Sequence, residues 1–193
     1  MCRFRFIMAQ LVIPCKGFGR RFANVAVCSN LQIVRPCGGV DLRVTINKAS
    51  RLLVLYDGDK EILRTKVALG RSPIGAKQRE GDQKTPEGIY QICLAKECGK
   101  YGLSLALNYP NAEDARLALQ AGVIDLITCS AIETAIAEGR RPPWGTALGG
   151  EIYLHEGFVD TDWTAGCIAL APKDMQVLFA YRNQIEDVAI LAV

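Results

Sequence analysis

The chain has 193 residues, a one-domain length, with half of them apolar, 22% charged and a formal net charge of +3, which excludes wholesale disorder. No apolar run reaches the roughly 18 to 20 residues that a membrane-spanning helix needs. The charge is split: residues 1–43 carry seven Lys or Arg against one acid, Asp41, and stand at +6, while the rest hold 16 bases and 19 acids and stand at −3. A folded part that is mildly acidic excludes nucleic acid as the expected partner.

Residues 1–41 read as a basic leader: a poor export segment or a start assigned too far upstream. Met1-Cys2-Arg3-Phe4-Arg5 precedes the apolar stretch Phe6 to Ile13, the order of a secretory signal, yet that stretch holds Gln10 and no small-residue cleavage site follows it. From Leu42 the pattern is regular. Leu42, Val44 and Ile46 alternate with polar neighbours as in a half-buried strand, Leu52–Tyr56 forms a second, and Asp57-Gly58 turns the chain into a third with Leu63, Thr65, Val67 and Leu69 on one face. Together these predict a β-meander.

Residues 71–88 are polar and carry three glycines and two prolines, a long loop of the kind that usually serves a function. A further strand is expected through Tyr90, Ile92 and Leu94. Residues 111–143 read as a helical insertion placed to act as a lid: Asn111 caps one helix that Gly122 stops, and Ser130 to Glu133 has the capping-box pattern of a second that ends at Gly139. A short strand from Glu151 to His155, a helix opened by Pro172 and burying Met175, Leu178 and Phe179, and a closing strand from Val188 to Val193 complete residues 42–193. The sum is a β-rich α+β domain.

Cysteine and histidine counts narrow the chemistry. There are eight cysteines but no C-x-x-C pair, and His155 is the single histidine, so no metal site is expected and no cofactor is called for. Cys167 follows His155 by twelve residues, each at the edge of an expected strand. A free thiol is only a few per cent thiolate at neutral pH, and an imidazole within reach both takes its proton and returns it to a leaving group. Gly166 lets a carbonyl approach the backbone closely, and its amide and that of Cys167 are candidate oxyanion donors.

His155-Glu156-Gly157 followed by Thr164-Ala165-Gly166-Cys167-Ile168 resembles the H-x-G and [S/T]-x-G-C-[I/V] signature of the YkuD-type L,D-transpeptidases. Gly81-Asp82-Gln83-Lys84-Thr85-Pro86-Glu87-Gly88 is similar to that family's G-D-x-x-T-P-x-G segment. The resemblance runs from about Leu42 to Val193 and implies the L,D-transpeptidase (YkuD-like) catalytic fold, a β-sandwich-like sheet core with a helical insertion.

It implies a peptidoglycan-modifying cysteine acyltransferase. Cys167 would be the nucleophile, His155 the general base and acid, and Gly166, Thr164 and Gly157 the substrate and oxyanion region. The partners would be peptidoglycan stem peptides: a tetrapeptide donor that loses D-Ala, with diaminopimelate or another amine as acceptor. The location would be the cell envelope. Two positions depart from the pattern, Ala165 where many members have His and Ala169 where many have Arg. The competing readings are an L,D-carboxypeptidase or endopeptidase with water as acceptor, a non-catalytic wall-binding domain, and a thiol redox or metal-sensing protein.

Overall fold

The computed structural model describes residues 42–192; the expected leader and Val193 lie outside them. Nine strands and three helices follow in the order β1 (Leu42–Asn47), β2 (Leu52–Asp57), β3 (Lys60–Ala68), β4 (Gly88–Tyr90), β5 (Ile92–Gly99), β6 (Gly102–Leu107), α1 (Ala112–Gln120), α2 (Leu126–Ala137), β7 (Tyr153–Glu156), β8 (Ile168–Leu170), α3 (Pro172–Ala180) and β9 (Ile185–Leu191). The meander is present, β1 to β2 and β2 to β3 both antiparallel. The whole sheet runs β4-β9-β1-β2-β3-β8-β7-β6-β5 and is mixed, with parallel pairs at β1–β9 and β7–β8.

The expected strand through Tyr90, Ile92 and Leu94 is instead two strands at opposite ends of the sheet. Gln91 alone separates them. Its N–H donates to Asn108 Oδ1 at 2.8 Å and its carbonyl accepts from Asn108 N at 2.9 Å, which takes the residue out of both ladders and bends the chain. Ends of the strand order that lie one residue apart in sequence mean that the sheet curls until it nearly closes. β3 serves both halves, Leu52 pairing with Lys66 and Leu170 with Val67.

The enclosed core draws on every part of the sheet. Leu42, Ile46, Leu53, Leu55, Leu105, Leu154 and Ile168 are fully buried in it, together with Met175 and Leu178 of α3. Each such side chain contributes about 1.5–3 kcal/mol of transfer free energy.

Helix α1 starts at the expected place, with a complete capping box between Asn111 and Asp114. Helix α2 starts earlier than the Ser130 pattern predicts. Asp125 is its N-cap, accepting from Thr128 N at 2.8 Å, and Ser130 lies inside the helix. The two helices share a small core of Ala115, Ala118, Ile124, Cys129, Ile132 and Leu148. Among the described residues no helix is long and apolar enough to cross a membrane.

Candidate active site

His155 lies on β7 and Cys167 immediately precedes β8. The parallel pairing of these strands sets Leu154 against Ile168 and His155 against Ala169, which brings the imidazole and the thiol into the wall of one cavity of about 460 Å³. The thiol is held by backbone alone: Tyr153 N–H donates to Sγ at 3.4 Å, and Sγ–H donates to the Glu151 carbonyl at 3.4 Å. Glu151 adopts a φ of 56°, the left-handed region that non-glycine residues rarely occupy, and so aims its carbonyl at the thiol.

The His155 ring is oriented by its neighbour. Nδ1 lies 2.8 Å from the Glu156 carbonyl oxygen, which can only accept, so Nδ1 carries the proton and Nε2 remains a base. Two aromatic rings flank the imidazole and a third backs one of them. Tyr101 stacks on it at 4.7 Å between centroids, Trp163 meets it edge-on at 5.7 Å, and Phe158 stacks on Trp163 at 4.8 Å.

Burial therefore lowers the His155 pKa, opposed by the Glu156 carbonyl, and raises that of the Cys167 thiol, opposed by the Tyr153 N–H. Both shifts favour the uncharged form of the group concerned.

The loop that carries Cys167 is fastened from behind. Thr164 Oγ1 donates to the Cys167 carbonyl at 2.7 Å and accepts from Gly166 N at 3.1 Å. Gly166 has a φ of 132°, and a Cβ there would come 2.6 Å from the Lys84 carbonyl oxygen. Glycine is required on both counts.

That contact links the two sequence motifs physically, because residues 81–88 back the loop that carries Cys167. Asp82 holds the segment in shape, accepting from Gln78 N, Arg79 N, Lys84 N and the buried Lys77 ammonium. Thr85 Oγ1 accepts from Gly70 N at 3.0 Å, and Gly70 bridges to Thr164. Asp162 adds a clamp of its own, accepting from Leu69 N at 2.8 Å and from Arg51 at 2.7 Å.

The expected oxyanion residues separate here. Gly166 and Thr164 stand beside the thiol, but the Gly166 amide is engaged by Thr164. Gly157 donates its N–H to the Leu170 carbonyl at 2.8 Å, and a Cβ on it would meet Trp163 at 3.0 Å and Ala169 at 3.1 Å. It is a packing position outside the cavity wall. Ala169 is fully buried beside it. The cations that line the cavity come from elsewhere: Arg71, Lys96 and Lys100.

None of residues 111–143, the expected lid, lines this cavity; the β5–β6 hairpin does, with Lys96, Lys100 and Tyr101. Sequence reading missed Glu151, Tyr101 and Tyr153 as site residues. Only Tyr153 left a signal, standing two residues before His155 on the same strand face.

The profile of the L,D-transpeptidase catalytic domain matches residues 41–187. YafK of Escherichia coli (strain K12), itself assigned by name to the L,D-transpeptidases, is 29% identical over 122 residues, covering 59% of this chain and 50% of its own. The chain thus spans about half the length of the curated relatives it matches. Among solved structures, Pgp2 of Campylobacter jejuni, described as a helical cell shape determining protein, aligns with a TM-score of 0.56 at 23% identity, over 80% of this chain and 49% of its own. A variant of Pgp2 gives 0.57 at 24% identity, over 80% and 48%. At such identities the likeness is one of fold.

Proposed function

The chain belongs to the L,D-transpeptidase catalytic-domain family, and from that premise we propose that it is a cysteine acyltransferase of peptidoglycan stem peptides, with Cys167 as nucleophile and His155 as general base and acid. The observation that carries the reading is the thiol suspended between Tyr153 N–H and the Glu151 carbonyl, in one cavity with an imidazole whose Nδ1 is committed to the Glu156 carbonyl.

In the first step the thiol proton passes to His155 Nε2 as Sγ bonds to the carbonyl carbon of the third stem residue. The Cys167 amide, with that of Gly166 occupied, stabilises the oxyanion. Collapse breaks the bond to the terminal D-Ala, whose nitrogen takes the proton from His155, and leaves a thioester. An amine of a second stem then attacks, giving its proton to His155, and the thiolate leaves to be reprotonated. The substrate lies in the cell envelope, and that is where the protein would act.

The test is product analysis with a disaccharide-tetrapeptide. Wild type should release D-Ala and form a cross-linked dimer, while Cys167→Ala should do neither. Tripeptide without dimer would make water the acceptor and the enzyme a carboxypeptidase. No D-Ala release by wild type would overturn the acyltransferase reading and favour a wall-binding role.

A further inference from the structure

The cavity wall carries a buried phenol with a lysine ammonium beside it. Tyr153 precedes His155 by two residues on β7, so its side chain enters the same cavity. Its backbone N–H holds the Cys167 thiol. Its hydroxyl is buried and meets no hydrogen-bonding atom among the described residues. Such a group is costly to bury unless something completes it.

Lys96, on β5, places its ammonium 4.8 Å from the centroid of the same ring, and the phenol beside it pushes the Lys96 pKa up. Arg71 and Lys100 also line the cavity, against a single acid, Glu151. A phenolic O–H beside a cation, in a cavity with three cations and one acid, fits an anion that accepts a hydrogen bond: a carboxylate.

We infer that Tyr153 and Lys96 anchor the terminal carboxylate of the donor peptide, the one borne by the leaving D-amino acid. The inference rests on the proposed reaction and names the recognition it needs. The terminal carboxylate lies one residue beyond the scissile carbonyl, within about 3.8 Å of chain, and the tyrosine ring extends from the backbone that holds the attacking sulfur. Ala169, paired with His155 on the neighbouring strand, is small, buried and uncharged, so the anchor sits on β5 and β7. Anchoring the leaving residue also explains why a free D-amino-acid terminus would be selected over an extended chain, whose next peptide bond carries no charge.

The test is calorimetric binding to the full chain carrying Cys167→Ala, so that no turnover intervenes, with three disaccharide-tetrapeptides: the free acid, its terminal D-alaninamide, and a form amidated on the diaminopimelate side chain. The terminal amide should bind about tenfold more weakly than the free acid. The side-chain amide should bind within about twofold of the free acid.

Adding Tyr153→Phe or Lys96→Gln should erase the preference for the acid while leaving affinity for the terminal amide unchanged, and Lys96→Arg should restore it. A structural role alone would weaken all three ligands together. Equal affinity for acid and terminal amide, a loss that follows side-chain amidation instead, or a preference that survives both substitutions would overturn the anchor. The preference is read without D-Ala release, so failure of the anchor and failure of the proposed reaction are separate results.

Discussion

The two walls of the cavity that holds Cys167 and His155 are built in opposite ways. The rear wall, residues 69–88 with residues 162–167, is backbone packed on backbone: Gly166 against the Lys84 carbonyl, Gly70 against Thr85 and Thr164, Asp82 and Lys77 buried together. The front wall, the β5–β6 hairpin, offers long side chains on an exposed turn, with Lys96 and Lys100 exposed and Tyr101 42% exposed. The difference teaches a division of labour. Cys167 is positioned by close backbone approach and short buried side chains, and the opposite wall is left to long groups that can move.

Substitutions in the two walls should therefore fail differently, and the nucleophile itself sets the upper limit. Cys167→Ala should lower D-Ala release by about 10³-fold or more while its thermal midpoint stays close to wild type, as a steady-state assay and a melting curve would report. On the rear wall, Gly166→Ala must relieve both a φ of 132° and a 2.6 Å approach to Lys84. It should cost about 2–4 kcal/mol in denaturant titration and remove activity with it.

Asp82→Ala strips acceptors from three backbone N–H groups and leaves the Lys77 ammonium buried without its partner. About 2–3 kcal/mol of stability should be lost, with D-Ala release recovered under conditions that refold the loop. A rear-wall variant that weakened donor binding but left stability untouched would break the comparison.

On the front wall, Tyr101→Ala should change stability by only about 1 kcal/mol and act instead through His155. With burial holding the imidazole pKa down, neutral base is present at neutral pH, and kcat/KM should fall only as pH drops well below about 6.5. Removing the stacked Tyr101 ring exposes the imidazole and moves that acid limb upward, towards the ordinary value. The sign for folding agrees: a depressed histidine pKa gives stability that is complete above about 6.5 and lost as pH falls through the folded value. A pH profile unchanged by Tyr101→Ala would show that the ring does not shield the base.

Much of the rear wall was legible in the sequence, because its requirements are local. Gly166 before Cys167 and the Gly81–Gly88 segment are short motifs whose residue types follow from turn geometry and close approach. The alternation of β1 to β3 was legible for the same reason, each strand showing one face to the core.

β6 was not read, although Leu103, Leu105 and Leu107 alternate with Ser104 and Ala106; both faces are covered from Ser104 onward, so no polar residue marks an outer face. α2 was misplaced because Leu126 and Ile127, its first apolar residues, face outward at 70% and 80% exposure and break the helical stripe. The front wall was illegible in kind: Lys96, Tyr101 and Tyr153 meet only because β5, β6 and β7 are neighbours in the sheet, an order no local pattern encodes.

The central claim, that the thiol of Cys167 becomes an acyl carrier, is tested most directly by intact-protein mass spectrometry after brief incubation with a disaccharide-tetrapeptide, followed by peptide mapping. The account predicts one added disaccharide-tripeptide acyl group, mapped to Cys167, sensitive to hydroxylamine as a thioester is, and absent in Cys167→Ala. An adduct on another residue, or D-Ala release that persists in Cys167→Ala, would contradict it.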